Sequence, residues 1–242
     1  MHLVFLVNYD LAALLALNCI LPACAEHNVQ IFYTRKTISG LCPALKQLGE
    51  FETSTLEQTS SLLSFQKMGA TTLNAINTDD FDRYAATAAD VVVSIRHMSI
   101  LQAPAIAVPK LAMLNLHSGL LPAYQGVMST LRALSHHEKT IGTTLHRIED
   151  ASIDRGPIIS TSQILSRFDR SYLWNVLNLY RDGCQNVIEA IARLNCGGPL
   201  IARPQQSPGQ YYTFPNAKEI DAAPVPLYSD SDAEHLDQFL SD

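Results

Sequence analysis

The sequence predicts an α/β fold built on a mostly parallel, twisted sheet with helices on both faces and a short C-terminal extension. A strand, a helix and a second strand fill the first 35 residues, and two short, almost wholly apolar runs follow at 90–94 and 111–117. Apolar runs of this length without alternation are typical of strands buried on both faces of a parallel sheet. No stretch approaches the roughly 18 apolar residues of a membrane span.

The first unit of this fold is read directly from the apolar pattern. His2 to Val7 predicts a strand, and the Ala- and Leu-rich stretch that reaches about His27 predicts a helix. Val29 to Thr34 is β-branched and aromatic, which predicts the second strand. Such a succession implies a parallel pair joined by a right-handed crossover. Residues 41–85 are amphipathic and predict mostly helix with one short strand.

The remaining elements alternate along the chain. Apolar runs predict strands, and spacings of three and four residues predict helices. Beyond residue 198 the sequence becomes rich in Pro, Gly and Ser, so we expect one main domain over 1–198 and a C-terminal extension or tail over 199–242. The predicted strands are 90–94, 111–117, 143–148 and 157–162, and the predicted helices are 127–138 and 172–194.

The composition of the chain argues against several classes of binding partner. The net charge is −6 and the basic residues are scattered, so nucleic acid is a poor candidate. Five cysteines without a C-x-x-C pair indicate neither a disulfide framework nor a metal site. Asp10 interrupts the early apolar run and no Lys or Arg precedes it, which argues against a signal peptide. We therefore expect a cytoplasmic protein that does not associate with membranes.

The densest chemical information lies around Asn115 and His117. Two residues apart at the end of a predicted strand, these side chains point the same way. An amide that donates to a carbonyl oxygen, beside an imidazole that handles a proton near neutral pH, suits acyl transfer. A carboxylate usually completes such a set, and the candidates are Asp150 and Asp154. Asp154 precedes Gly156, where a loop re-enters a strand.

A longer ordered pattern contains these residues. Asn-x-His is followed by Leu-Leu-Pro-x-Tyr-x-Gly at 120–126, Gly-Thr-Thr-Leu-His at 142–146 and Ile-Asp-x-Gly-Pro-Ile at 153–158. Over residues 88–165 the chain resembles the 10-formyltetrahydrofolate-dependent formyltransferases, which act on glycinamide ribonucleotide, methionyl-tRNA or amino sugars. The resemblance implies a Rossmann-like formyltransferase fold, catalytic Asn115, His117 and Asp154, and 10-formyltetrahydrofolate as co-substrate. It implies no metal.

The resemblance also implies which segments bind folate. They fall on Ser94 to Leu101 and on Ile148 to Asp154, with Ser94, Ile95, Arg96, His97, Met98, Ile100, Leu101, Ile148, Asp150 and Ile153 as the candidate contacts. Two departures from the family pattern stand out. Ser118-Gly119 follows the histidine where the family most often has Pro, and Asn8-Tyr9-Asp10 lacks the glycine-rich phosphate cradle of the glycinamide ribonucleotide enzymes. The first departure could reshape the acceptor pocket, and the second weakens a role in purine synthesis.

The predicted function is N-formyl transfer in one-carbon metabolism. We expect a small-molecule amine as acceptor and favour a nucleotide-linked amino sugar, because sugar N-formyltransferases share this compact size. The alternatives are an amino acid, glycinamide ribonucleotide, methionyl-tRNA, water as in a formyltetrahydrofolate hydrolase, or a non-catalytic folate-binding module. His146 is expected to have a cross-strand structural role. A homodimer contact, a pocket lid and a loose tail are all open for the C-terminal extension.

Overall fold

A seven-stranded sheet forms the centre of the molecule in the computed structural model, which describes residues 1–36, 39–234 and 236–239. The strand order is β3-β2-β1-β4-β5-β7-β8. The first five strands of this order run parallel, β7 runs antiparallel to both neighbours, and the predicted mostly parallel α/β sheet is therefore confirmed. No helix in the described residues is long and apolar enough to cross a membrane.

Strands and helices alternate through most of the chain. The strands are β1 His2–Asn8, β2 Asn28–Thr34, β3 Thr71–Thr72, β4 Val91–Ile95, β5 Ala112–His117, β6 Gln125–Gly126, β7 Thr140–Arg147, β8 Ile158–Leu165 and β9 Tyr211–Tyr212. The helices are α1 Leu11–Ile20, α2 Pro43–Gln58, α3 Phe81–Ala85, α4 Ala103–Ile106, α5 Ser129–Ser135, α6 Tyr172–Asn195, α7 Ala217–Asp221 and α8 Ser231–Glu234. Two 3₁₀ turns, Leu21–Cys24 and Leu236–Phe239, complete the described elements.

Apolar cores cover both faces of the sheet. Along β1, Leu3, Phe5 and Val7 pack with α1 and α6 on one face. Val4 and Leu6 point to the other face and pack with Tyr84 of α3 and Ala105 of α4. Because both faces are covered, the parallel strands are buried on both sides, as their uninterrupted apolar sequences predicted.

Two parts of the fold differ from the sequence-based expectation. The helix predicted over 127–138 is only α5, because Met128 has a left-handed backbone (φ 54°) and the helix begins after it. The short pair of β6 and β9 was not predicted, and it ties Gln125 to Tyr211 and Gly126 to Tyr212. The Tyr-rich island of the extension is therefore held beside β6.

The described residues of the C-terminal extension pack on the rest of the molecule. Leu200, Val225, Leu227, Leu236 and Phe239 are buried in the same core as α6. Backbone hydrogen bonds join Pro226 O to Tyr172 N at 2.8 Å and Leu227 O to Leu173 N at 2.9 Å. Residues 235 and 240–242 of the predicted extension lie outside the described residues. The boundary at residue 198 stays a prediction, but the described extension adds to the apolar core.

Candidate functional site

The carboxyl end of β5 brings the predicted amide and imidazole together. Asn115 lies between Ser94 of β4 and His146 of β7 in the sheet register, and His117 pairs with Thr144. Strand alternation turns Asn115 and His117 to the same side. A crevice beyond the carboxyl ends of parallel strands is the usual ligand site of such sheets, and the site lies there.

Asp154 is the centre of the hydrogen-bonded cluster. Its Oδ1 accepts from Asn115 Nδ2 at 3.1 Å, and its Oδ2 accepts from the backbone N–H of Gly126 at 2.8 Å. Oδ2 lies 3.4 Å from His117 Nδ1, and Oδ1 lies 3.4 Å from His146 Nε2. The Asp154 backbone is left-handed (φ 54°), a conformation that Asp tolerates better than most residues. The other candidate carboxylate, Asp150, instead accepts from Ser152 N at 2.7 Å on the surface.

The Asp154 carboxyl is ionised at neutral pH. Burial alone would raise its pKa, but the charge that His117 carries when protonated, the hydrogen bond and charge of protonated His146, and the Gly126 N–H together lower the pKa to about 2. A fixed negative charge beside an imidazole stabilises the protonated form of the ring.

His117 holds its proton in a defined place. Nε2 lies 2.6 Å from the Tyr124 carbonyl oxygen and 3.1 Å from Ser129 Oγ. A carbonyl oxygen can only accept, so Nε2 is the protonated nitrogen in this geometry. Nδ1 is then the atom that faces Asp154 and can gain or lose a proton.

His146 belongs to the same cluster. Its Nδ1 lies 2.9 Å from the Arg147 carbonyl oxygen, so Nδ1 donates, and in the neutral ring Nε2 carries the lone pair. Asn115 Nδ2 donates to that Nε2 at 3.0 Å. The cross-strand contact expected for His146 is therefore made with Asn115 itself, which fixes the orientation of the amide.

A cavity of about 700 Å³ opens over this cluster. Asn115, His117, His146 and Asp154 all line it. Apolar side chains supply much of the remaining wall, including Leu41, Leu45, Leu48, Met98, Ile100, Leu101, Met128, Ile148, Ile153 and Phe214. In volume and in its mixture of apolar walls and few convergent polar groups, the cavity suits small organic ligands. Among the described residues, no group of three or more His, Cys, Asp or Glu side chains could hold a metal ion.

The formyl transferase family profile matches residues 27–167, which include this whole cluster. The chain belongs to the formyl transferase family. Its match covers β2 to β8 and thus the sheet edge at which the site lies.

Relatives in the formyl transferase family match this chain over only part of their own length. Methionyl-tRNA formyltransferase of Paramagnetospirillum magneticum is 33% identical over 136 residues, which are 56% of this chain and 44% of that protein. Methionyl-tRNA formyltransferase of Burkholderia multivorans is 32% identical over 127 residues, 52% of this chain and 38% of the relative. The chain thus spans less than half the length of these relatives.

Solved structures of formyl transferases share the fold. A sugar N-formyltransferase from a Shewanella species superposes with a TM-score of 0.61 over 92% of this chain and 79% of the other at 16% identity. Glycinamide ribonucleotide transformylase 1 from Symbiobacterium toebii has a TM-score of 0.60 over 85% of this chain and 94% of the other at 21% identity. At these identities the likeness shows the fold alone.

Most of the folate-binding residues implied by the formyl transferase pattern line the cavity. These are Ser94, Arg96, His97, Met98, Ile100, Leu101, Ile148, Asp150 and Ile153. Ile95 differs from the expectation, because it is fully buried in the core. Strand alternation explains this, since Ser94 and Arg96 point to the cavity side and Ile95 between them points away.

One polar side chain of the cavity, Glu52 of α2, had not been singled out from the sequence. Two contacts of predicted residues were also missed. Arg96 Nε donates to Asp10 Oδ2 at 2.8 Å, and the register of His146 opposite Asn115 places it in the cluster. The partners of Arg96 and His146 lie 86 and 31 residues away in sequence, so spacing along the chain gives no signal of these contacts.

Proposed function

We propose that this protein transfers the formyl group of 10-formyltetrahydrofolate to the amine of a small-molecule acceptor, with a nucleotide-linked amino sugar as the favoured acceptor. One observation carries the proposal: in a member of the formyl transferase family, Asn115, His117 and Asp154 form a single hydrogen-bonded cluster in the wall of a 700 Å³ cavity. An amide donor, an imidazole and an ionised carboxylate are the groups that acyl transfer to nitrogen requires.

The folate part of the substrate fits the end of the cavity lined by 98–101 and 148–153. Met98, Ile100, Leu101, Ile148 and Ile153 offer an apolar slot, as a flat aromatic ring system prefers. The structure of an N-formyltransferase from Helicobacter canadensis, 16% identical with a TM-score of 0.57, is described as a complex with folinic acid and dTDP-3-aminofucose. That likeness supports both a folate and an amino sugar as ligands here.

The chemistry follows from the positions of the three groups. The acceptor nitrogen bonds to the formyl carbon, and the carbonyl electrons move onto the formyl oxygen. The bond from that carbon to N10 of the folate then breaks, the acceptor nitrogen loses one proton and N10 gains one. His117 Nδ1 can hold the released proton beside the Asp154 carboxylate until it passes to N10.

Asn115 supplies the donor for the developing negative charge. Its amide N–H groups are engaged by Asp154 Oδ1 and His146 Nε2. A formyl oxygen that enters the site takes over one of these hydrogen bonds. Because the charge on that oxygen is greatest in the transition state, the exchange favours the transition state over the bound substrate.

The charge of the chain bears on the acceptor. A net charge of −6 works against binding a polyanion such as methionyl-tRNA, and a small acceptor avoids that repulsion. The structure of a formyltransferase from Anoxybacillus kamchatkensis, which this chain covers to 97% with a TM-score of 0.56, is described as a complex with a UDP-linked formamido sugar and tetrahydrofolate. This supports the nucleotide-linked amino sugar as first choice.

The test is an acceptor screen with 10-formyltetrahydrofolate that follows tetrahydrofolate release and the mass gain of the product. The panel contains dTDP-3-aminofucose, UDP-linked 4-amino sugars, amino acids, glycinamide ribonucleotide and methionyl-tRNA. We expect release that depends on an amino sugar. Asn115→Ala should lower turnover on the order of 100-fold or more, because one oxyanion donor is lost, and His117→Ala should have an effect of similar size.

Matched controls use residues outside the cavity. Asn195→Ala and His137→Ala change the same residue types at exposed positions, and turnover should match that of the wild type. Release without any amine would identify a hydrolase. Wild-type turnover in Asn115→Ala, or no release with any acceptor, would contradict the proposal.

A further inference from the structure

One end of the cavity, apart from the slot that 98–101 and 148–153 line, has a composition unlike that of a phosphate site. It is formed where β1, β4, α1, α2 and α6 meet, and its lining includes Asn8, Asp10, Leu45, Glu52, Arg96 and Tyr172. Leu41, Leu45 and Leu48 give this end an apolar side. With folate in that slot, as proposed above, this end is the part of the same cavity that is left for the acceptor.

The start of α1 is closed to an external anion. Helix N-termini bind phosphate through free backbone N–H groups. Here Asp10 Oδ1 accepts from Ala13 N at 2.8 Å, and Glu52 Oε1 accepts from Leu11 N at 3.3 Å. A phosphate placed here would find these N–H groups already occupied by the side chains of Asp10 and Glu52.

The cation at this end, the Arg96 guanidinium, is already paired. Arg96 Nε donates to Asp10 Oδ2 at 2.8 Å, and the same oxygen accepts from Asn8 Nδ2 at 2.9 Å. The Asp10 side chain is 5% exposed and the Arg96 side chain 23% exposed, so the ion pair is shielded from water. Its charges largely cancel, which leaves little positive potential for a phosphate.

Glu52 faces the cavity, and only one of its two carboxyl oxygens accepts a hydrogen bond from the described residues. Burial raises the pKa of its carboxyl to about 8, the charge of Asp10 adds to the rise, and Arg96 and the Leu11 N–H oppose it. Tyr172 and Tyr180 of α6 also face the Asp10 and Arg96 pair and are uncharged at neutral pH, because burial raises the pKa of both phenols. Glu52 is therefore protonated at pH 7.

A protonated carboxyl has one acceptor oxygen and one donor oxygen. Oε1 accepts from Leu11 N, so the proton sits on Oε2. Within residues 1–36, 39–234 and 236–239, no hydrogen bond to Oε2 is found. This O–H is available to a ligand.

Building on the proposed formyl transfer, we propose that Glu52 determines acceptor specificity by donating a hydrogen bond from Oε2 to an uncharged oxygen of the acceptor. A hydroxyl or amide carbonyl of an amino sugar is such an oxygen, and the leucines beside it accommodate the apolar face of the ring. Acceptors that would bring a phosphate to the start of α1 are rejected. A nucleotide linked to the sugar must then lie in another part of the cavity.

The first test compares wild type with Glu52→Gln, using dTDP-3-aminofucose or whichever amino sugar of the panel turns over fastest. In the wild type, the acceptor KM should be level below about pH 8 and rise above it as the carboxyl loses its proton. Gln keeps the acceptor oxygen and a donor but cannot ionise. Its KM should stay close to the wild-type value at pH 7 and lack the rise that the wild type shows at pH 9, with kcat unchanged.

Glu52→Leu provides the opposite case, because it removes the donor and should raise the acceptor KM on the order of tenfold at pH 7. The acceptor's own amine titrates equally in all three proteins, so the difference between their profiles isolates Glu52. Identical KM profiles for wild type and Glu52→Gln, with both folded, would overturn the specificity role and leave Glu52 a structural residue.

The second test does not need turnover. Isothermal titration calorimetry of the full chain with glycinamide ribonucleotide should detect no binding at millimolar ligand, and titration with the amino sugar should weaken from pH 7 to pH 9 in the wild type but not in Glu52→Gln. Micromolar binding of glycinamide ribonucleotide that inorganic phosphate displaces would refute the inference. Absence of tetrahydrofolate release with every amine would count against formyl transfer alone, since these titrations give their own result.

Discussion

Two histidines share the Asp154 carboxylate, and their outer contacts decide which nitrogen of each ring is protonated. His117 donates to the Tyr124 carbonyl and therefore presents Nδ1 to Asp154. His146 donates to the Arg147 carbonyl and therefore presents a lone pair to Asn115. One ring can exchange a proton with Asp154 and the other holds the amide. Hydrogen bonds to two backbone carbonyls thus fix which nitrogen each histidine presents to the cluster, and the two rings differ in role for that reason.

Gly119 is the residue that allows His117 its position. A Cβ built at Gly119 would lie 2.8 Å from His117 Nε2, 2.9 Å from Tyr124 O and 2.6 Å from Ser129 Cβ. These contacts are closer than van der Waals distance, so a side chain would push on the imidazole and on the oxygen that holds its proton. The turn after His117 lacks the Pro that the family most often has there, but it is tightly packed around Gly119.

Gly119→Ala should therefore lower kcat at least tenfold, since the proposed mechanism makes His117 a catalytic group and small displacements of such a group are costly. Steady-state kinetics at saturating acceptor measure the effect. The matched variant is Gly49→Ala on α2, where no atom lies within 4 Å of the added Cβ, and its kcat should equal that of the wild type. Unchanged kcat in Gly119→Ala would mean that the position of His117 tolerates the shift.

For individual residues, the sequence predicted contacts of the site between residues that are close along the chain. Asn115 and His117 were predicted together because strand alternation relates them, and the structure places Asp154 beside them. The ion pair of Asp10 with Arg96 and the approach of Glu52 to Leu11 join distant segments. Such contacts depend on how α1, α2 and β4 pack, which local patterns do not determine.

At the scale of elements, the start of α6 depends on the C-terminal extension. Ser171 caps the helix, with its Oγ accepting from Trp174 N at 2.9 Å and donating to Asp232 Oδ2 at 2.6 Å. The next free N–H groups, of Tyr172 and Leu173, donate to the carbonyls of Pro226 and Leu227. Three of the four donors that a helix N-terminus leaves unpaired are thus satisfied, two of them by residues of the extension.

Ser171→Ala should reduce the free energy of unfolding by about 1–2 kcal/mol, because it removes the cap and the donor to a buried carboxylate. Urea unfolding followed by circular dichroism provides the value. Ser54→Ala, an exposed interior position of α2, makes the same chemical change without a cap and should alter stability by less than about 0.5 kcal/mol. Equal effects for the two variants would contradict the capping role.

The elements that the sequence predicted are those with long apolar periodicity. The strand at 2–7, the helix at 172–194 and the strands at 143–148 and 157–162 are confirmed, with ends that shift by a few residues. The pair of β6 and β9 has two residues in each strand, too few for any period to be visible. The left-handed backbone of Met128 shortens α5, and Met is not a residue type that favours this conformation, so no local pattern predicted it.

At the scale of the whole molecule, the described extension is part of the core. Leu227 is 8% exposed and Ile201 is 66% exposed, although both belong to the extension. Leu227→Ala should reduce the free energy of unfolding by about 2–4 kcal/mol through lost burial and the cavity left behind. Ile201→Ala should change it by less than about 0.5 kcal/mol.

Chemical denaturation of both variants measures this difference. A shift of the whole cooperative transition in Leu227→Ala would indicate that the extension and the sheet unfold together. A small effect in Leu227→Ala, equal to that of Ile201→Ala, would instead describe an extension that contributes nothing to the fold.

Gln205 of the extension is synthesised after the loop that it holds in place. Its Nε2 donates to the backbone carbonyls of Asp154 at 2.8 Å and Gly156 at 2.9 Å, which fastens the loop that carries the carboxylate. A ribosome makes Asp154 some fifty residues before Gln205. In a growing chain, the loop that carries Asp154 would therefore gain this anchor only after the extension has been synthesised and has docked.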